Sequence, residues 1–466
     1  MRVHGLRNLA IAALALALAP AAWSQPRTLD FGQAVDMALH QNPDLRAVQA
    51  QVEQARAGVA QARGARLPRL SAGLGATRTD DALNAFGLKL AQRGATFNDF
   101  GAGQFNPALP GVLGVAPANL NHPAPVNDFS SRLEAQLPLY TGGKLEGYLR
   151  QAHAMLLAAQ AGDRAARQEI TDHVLQAYDG VWTARAYRQV AAKALQAAQS
   201  QVNMVENLHR QGVVLKSDLL AARVNLENAR IQQQQADDLE AQAMDGLHVV
   251  LGLPLDQPIE PGPPVRVRMP EGTPASWIAS AQAENPRMLA LDEQVAAAGG
   301  KVEVARSDLY PQVGAMARLE THDPDPGFSA HSYTVGVQLS WNLFDGGVTR
   351  RAVDEAAAAR EALQLKLQSA REQLGMQILD ASRKASLASS QIAGRELAVS
   401  QAEEAERIVE QRYANGVGTL LELQGAQAML DKARADLVLA RSQETTQRAA
   451  LLLALGRLDA ASVQAR

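Results

Sequence analysis

The sequence predicts a mainly α fold with a small transmembrane β part, built from internally duplicated long-helix hairpins. Two observations carry that prediction: an abrupt change of hydrophobic period that occurs twice, and a repeat that keeps its register along most of the chain. Tyr333, Val335, Val337, Leu339, Trp341 and Leu343 alternate with Thr334, Gly336, Gln338, Ser340 and Asn342. This is the period of two of a strand with one apolar and one polar face, and its length suits a membrane-crossing strand of about 9–11 residues. Asp345-Gly346-Gly347 then breaks the strand, and an Ala-, Leu- and Gln-rich helical run follows to about Asn415. That helix is too polar to cross a bilayer and longer than an ordinary globular helix. The same junction lies upstream, where Phe129, Ser131, Leu133, Ala135, Leu137 and Leu139 alternate with Ser130, Arg132, Glu134 and Gln136 before Tyr140-Thr141-Gly142-Gly143.

The repeat is read from short matches. Asn42-Pro43 and Leu67-Pro68 recur as Asn285-Pro286 and Tyr310-Pro311, a shift of 243. From the junction onward the shift is 204: Gly142-Gly143 matches Gly346-Gly347, Gly212-Val213 matches Gly416-Val417, and Leu251-Gly252 matches Leu455-Gly456. The difference of 39 residues is an insertion in the first copy, placed between its strands in the Gly-, Pro- and Asn-rich stretch 80–127. Each copy then reads as helix, strand, loop, strand, very long helix, tight turn and shorter helix.

In chain order, residues 1–24 read as a signal peptide: Arg2 and Arg7, then an apolar run Leu9–Ala19 that is too short for an anchor of about 18 residues. The first repeat is 25–252. It contains a short helix at 28–41, a helix at 44–66, strands at 70–79 and 129–140, and a long helix at 144–210, roughly 100 Å at 1.5 Å per residue. Seven prolines make 253–274 a linker rather than a helix. The second repeat, 275–457, has a short helix at 275–284, a helix at 287–308, strands at 312–320 and 333–344, and a long helix at 348–414; 458–466 is a tail. Along the second long helix, Leu363, Leu367, Ala370, Leu374, Ile378, Ala381, Ala385, Ala388 and Ile392 keep to one helical face. Their small side chains suit close helix packing.

Composition narrows the function. With no cysteine there are no disulfides and no thiolate metal sites, and at a net charge of −3 without a basic block nothing points to nucleic acid. The histidines are scattered, and no HExxH or Walker sequence occurs, so no catalytic centre, metal or cofactor is expected. His322-Asp323-Pro324-Asp325 with His331 has metal-ligand residue types, but such a segment more often makes a solvated turn. No later stretch is apolar enough to span as a helix, so a membrane crossing falls to strands. Four strands do not close a barrel, since closed membrane barrels start at about eight. A membrane-crossing chain of this kind therefore oligomerises.

Through the duplicated unit, the two Gly-Gly junctions and the two Gly-Val turns, the mature chain resembles the TolC family of outer-membrane efflux proteins. The resemblance implies a homotrimer whose twelve strands, four per chain, close one barrel in outer-membrane lipid of a Gram-negative bacterium. A trimeric α-barrel continues it into the periplasm, and 80–127 becomes an extracellular loop. It also implies a passive exit for tripartite efflux or type I secretion, docked to a periplasmic adaptor (membrane fusion) protein and an inner-membrane RND or ABC transporter. The junction residues are then Gly142, Gly143, Gly346 and Gly347, the adaptor contacts Gly212, Val213, Gly416, Val417 and Leu420, and the entrance residues Asp218, Tyr413 and Glu422. The family pattern at that turn has a tyrosine, an arginine and two acids. Tyr413 and Glu422 match it, but Gly418 replaces the arginine and Gly425 the second acid, which implies a more hydrophobic closure. The residues alone also allow a structural reading: Gly212 and Gly416 as left-handed helix ends, Ser217 and Thr419 as N-caps, and Asp218 and Glu422 as first-turn acids favoured by the helix dipole. A soluble periplasmic coiled-coil scaffold or adaptor is the alternative class, and an exported enzyme the third.

Overall fold

The computed structural model describes residues 27–108 and 110–465, so the expected signal peptide lies outside the described residues. The first copy runs β1 (Arg27–Leu29), α1 (Phe31–Gln41), α2 (Pro43–Gly64), β2 (Arg69–Thr79), α3 (Ala82–Ala91), α4 (Ala118–Asn121), β3 (Val126–Tyr140), α5 (Lys144–Arg210) and α6 (Lys216–Leu251). The short strands β4 (Ile259–Pro261) and β5 (Val265–Val267) follow. The second copy runs α7 (Pro274–Glu284), α8 (Pro286–Ser307), β6 (Gln312–Asp323), β7 (His331–Ser340), α9 (Val348–Ala414) and α10 (Leu420–Leu455), with β8 (Val463–Ala465) in the tail.

The duplication holds to the residue. α1 and α7 have 11 residues, α2 and α8 have 22, α5 and α9 have 67, and α6 and α10 have 36. Glycine marks the same stops in both copies, with φ of 62° and 67° at Gly142 and Gly346, 91° and 89° at Gly143 and Gly347, and 72° and 71° at Gly252 and Gly456. Starts are equally local: Asp30 caps α1 in a capping box with Gln33, and Thr273 caps α7 with proline at the first helical position.

The described residues divide into two compact units, one drawn from residues 27–51, 159–290 and 368–465, the other from 52–158 and 291–367. In the first unit, Leu29, Phe31, Val174, Tyr178, Leu251, Ile259, Val265 and Val267 form one buried core. Here β1 pairs in parallel with β4, and β5 antiparallel with β8. The linker and tail therefore carry strands where none were expected, because three residues are too few to show a period and their partners are remote in sequence. Tyr178 and Trp182 of α5 fix the linker by donating hydrogen bonds to Pro263 O at 3.2 Å and Gly262 O at 3.0 Å.

The second unit holds an antiparallel sheet in the order β2-β3-β6-β7. Its register sorts the side chains by face. One face carries the rows Ala72, Leu133, Leu319, Tyr333 and Leu70, Ala135, Ala317, Val335; the other carries Gly73, Arg132, Glu320, Ser332 and Ser71, Glu134, Arg318, Thr334. On the polar face Arg132 meets Glu320 at 2.6 Å and Arg318 meets Glu134 at 2.9 Å. On the apolar face Leu74, Tyr333, Val335 and Val337 are left 70–87% exposed.

Strand ends differ from expectation. β7 stops at Ser340 rather than Phe344, because β6 begins at Gln312 after Pro311 and offers Trp341–Phe344 no partner. The insertion, read as aperiodic, contains the helix α3, capped by Asp81. The expected stripe on α9 is inside: Leu367, Leu374, Ile378, Ala385 and Ala388 are buried and the other members half-buried. Among the described residues no helix is long and apolar enough to cross a membrane.

The junction glycines differ in how crowded they are. A Cβ on Gly142 would lie 2.6 Å from Ser307 O and 2.9 Å from Tyr310 Cβ, whereas Gly347 faces open space. Gly347→Ala should cost only left-handed strain, about 1–2 kcal/mol. Gly142→Ala should cost a further ~1–3 kcal/mol for the overlap. Thermal unfolding of the two variants in detergent checks the difference, and equal losses would refute the steric account.

Candidate functional site

The site is built from the two helix turns at Gly212 and Gly416. Each long helix ends in a Schellman arrangement with glycine at φ 73°. The Val213 N–H donates to Leu208 O at 2.9 Å and the Val417 N–H to Arg412 O at 3.0 Å. The returning helices start differently. Thr419 caps α10 by accepting from the Glu422 N–H at 3.2 Å, and the Glu422 carboxylate accepts from the Thr419 N–H at 3.1 Å. In the first hairpin the cap position is Leu215, which makes no side-chain bond, and the expected cap Ser217 lies inside α6. The shift of 204 explains this, since it sets Leu215 opposite Thr419 and Ser217 opposite Leu421. Asp218 and Glu422 occupy equivalent places in the first turns of α6 and α10.

Beneath the turns the two hairpins share one core of Val205, Leu219, Ala222, Leu226, Tyr413, Leu420 and Leu423, with Val409 packed against it. Tyr413 is 3% exposed, and its hydroxyl has no hydrogen-bond partner among the described residues. Burial raises its phenol above the ordinary range, and the nearby Asp218 carboxylate adds to the effect. Gly418 lies close against the tyrosine backbone, where a Cβ would come within 3.1 Å of Tyr413 N. Leu420 is 8% exposed and belongs to this core, so its side chain does not face outward with Val213 and Val417, at 55% and 71%. Its neighbour Leu421, 80% exposed, does.

A polar layer lies beyond this core. Leu420, Leu423, Gln427 and Leu430 follow one stripe of α10, and all four are buried. Gln427 Oε1 and Gln201 Nε2 are buried without a hydrogen-bond partner among the described residues. Gln427 and Asp431 line two clefts of about 540 and 290 Å3 between the hairpins. Burial raises the carboxyls of Asp431 and Glu406, and Glu410 adds to the second. Sequence reading missed this layer, although a glutamine within a leucine stripe was its visible signal. Exposed pairs such as Arg434–Glu403 and Arg441–Glu396, both at 2.9 Å, brace α9 on α10, each adding roughly 0–1 kcal/mol.

Among the described residues no three His, Cys, Asp or Glu side chains are grouped to hold a metal. His322 turns to Asp128 at 3.0 Å, and Asp323 accepts from the Ser329 and Ala330 N–H groups, as a turn does.

The profile of the outer membrane efflux protein family matches residues 34–253 and 277–457. The chain belongs to that family. It is 29% identical over 333 residues to Protein CyaE of Bordetella pertussis, covering 70% of each chain. It is 27% identical over 349 residues to the alkaline protease secretion protein AprF of Pseudomonas aeruginosa, covering 72% of each. The crystal structure of VceC of Vibrio cholerae superposes with a TM-score of 0.74 at 20% identity, covering 91% of this chain and 96% of that one. This TolC-like protein is thus a non-enzymatic efflux or secretion channel of the Gram-negative outer membrane, extending into the periplasm. Channels of the family are typically trimeric components of tripartite pumps.

The half-buried carboxyls make hairpin packing depend on pH. Packing holds Asp431 and Glu406 protonated to higher pH than solvent does, so the packed state binds more protons. Its stability falls as pH rises through their raised values and grows on acidification. Asp431→Asn should therefore be more stable than the parent at neutral pH, with the difference closing toward the acid range. Melting temperatures of both proteins across pH check this, and a constant difference would remove Asp431 as the cause.

Proposed function

We propose that three copies of this chain close into a single exit duct, each giving four strands to a twelve-stranded barrel. The observation that carries this reading is the sheet with β2 and β7 at its edges and one face that is apolar over the rows from Leu70 to Ala72, turning polar only toward the Ser131, Thr321 and His331 end. β7 runs opposite to β2, so β7 of one copy pairs with β2 of the next without interrupting the antiparallel alternation. An edge left open in lipid costs several kcal/mol for each unpaired peptide group, because the group loses its water and gains no partner. In the closed ring the Arg132–Glu320 face lines the lumen, and Leu74, Tyr333, Val335 and Val337 face lipid.

The turns at Gly212 and Gly416 then form the periplasmic entrance. Tyr413 and the leucines around it close it by apolar packing, while Asp218 and Glu422, repeated in three copies, make its rim negative. Gly212, Val213, Gly416 and Val417 meet a periplasmic adaptor, with Leu421 taking the outward place expected of Leu420. The double glycines at 142–143 and 346–347 turn each strand into its helix. An inner-membrane RND or ABC transporter supplies the energy. A polypeptide cargo handed over by an ABC transporter is supported by the likeness to AprF, whose name assigns it to alkaline protease secretion.

Two experiments test the reading. Val335→Arg puts a charge on the lipid face and should cost about 2–4 kcal/mol, lowering the yield of trimer in the membrane. Gln338→Arg, on the polar face of the same strand, should assemble normally; equal yields of both would sink the face assignment. At the entrance, Glu422→Gln removes charge while keeping the capping box, because glutamine also serves at that position. Block by divalent cations in planar bilayers should weaken in this variant, and unchanged block would exclude Glu422 from the rim.

A further inference from the structure

The insertion of the first copy is a folded body. β2 and β3 are joined through residues 80–125, whereas β6 and β7 need only 324–330 for the equivalent connection. Inside the longer segment Phe86 packs edge-on against Phe100 at 4.8 Å, and Lys89 Nζ lies 2.5 Å from the Asp99 carboxylate. Asp99 also closes a capping box with Thr96, and the Lys89 hydrogen bond, followed by those from Thr96, holds its carboxyl at about 2. Ala85 on α3 is fully buried.

This body is fastened to the end of the sheet away from the double-glycine junctions. Gln92 Nε2 donates to Asn127 O at 2.7 Å and to Asp128 Oδ1 at 3.2 Å. Asp128 is 4% exposed and also meets His322. By alternation along β3 it shares the polar face with Arg132 and Glu134. Arg93, the one non-glycine residue at positive φ among the described residues (57°), donates to His331 O of β7 at 2.7 Å. The anchor thus reaches strands of both copies, and at Asp128 it holds the side that carries the charged pairs. Its outer part is apolar and uncovered: Phe97, Phe105 and Val115 are 87%, 57% and 53% exposed around a cleft of about 230 Å3.

We propose that this segment is a cap over the outer mouth of the barrel, and that Phe97, Phe105 and Val115 are covered by the same segment of the neighbouring copies. The proposal rests on the trimeric duct above, which carries three such caps around one lumen. A connector between two strands needs only about two to five residues. The additional residues here fold, hold Asp128 on the polar face and end in an apolar surface that nothing in the same chain covers among the described residues. The cap narrows the exit independently of the periplasmic entrance.

The chain has no cysteine, so single thiols can report on the cap. Phe105→Cys in intact outer membranes should give a reducible disulfide between copies under mild oxidation. Separately, Gln338→Cys places a thiol on the lumen face, and a bulky polyethylene-glycol maleimide added outside intact cells should label it slowly. Adding Arg93→Ala, which removes one charge-assisted hydrogen bond, should speed that labelling about tenfold. Replacing residues 83–120 by a short Gly-Ser linker should speed it further. A protein that remains trimeric, shows no Phe105→Cys crosslink and labels at the same rate with and without Arg93→Ala overturns the cap and leaves the duct standing. A chain that is monomeric in the membrane overturns the duct itself.

Discussion

A peptide N–H or C=O in hydrocarbon has no water to bond, and this constraint governs how the protein is built. Within the sheet, β3 and β6 are paired on both sides, while β2 and β7 each have a single neighbour. A soluble protein protects such edges with charges, prolines or a covering helix. Here β7 presents Tyr333, Val335, Val337 and Leu339 on one face of its edge strand, a composition that suits lipid and further strands, not water. The even strand number and strict antiparallel order suit the sheet to be one sector of the proposed ring. Helices have no such need, since their peptide bonds are satisfied within each segment, and they leave the sheet through glycine turns whose backbone few other residues adopt.

The duplicated unit provides symmetry, and the proposed entrance and cap lie where the copies depart from it. Corresponding helices are equal in length, yet the turns at their far ends carry different chemistry. Tyr413 corresponds to His209, and while the tyrosine is buried in the core shared by the hairpins, His209 Nδ1 turns to Val214 O at 3.1 Å. Thr419 and Glu422 lock the start of α10 in a capping box, whereas Leu215 leaves the start of α6 without a side-chain cap. The strand connections show the same principle: one is a short turn and the other a folded insertion. A buried tyrosine hydroxyl, a buried glutamine and a raised aspartate are costly in a static core. All three lie where the hairpins meet.

Much of the fold was readable from the chain. The change from a period of two to a helical period located both strand-to-helix junctions, and paired glycines located the helix ends, because periodicity and positive φ are local properties. Equal spacing between matching dipeptides gave the duplication, and with it the hairpins. The three-residue strands of the linker, N-terminal segment and tail were not readable, since their stability comes from pairing across 196 to 232 residues of sequence. Nor was the early end of β7, which depends on where its neighbour begins.

At the candidate entrance the chain alone determined the residue types at each turn: glycine at the helix ends, an acid in each first turn, and tyrosine with glycines where the family pattern has other groups. Tertiary structure decided which of these face outward. Leu420 and Leu421 are chemically identical neighbours, and one is buried while the other is exposed because α10 turns about 100° per residue and only one side meets the other hairpin. The glutamine and aspartate beyond them became part of the site for the same reason. Burial is a property of the partner surface, and no residue carries it alone.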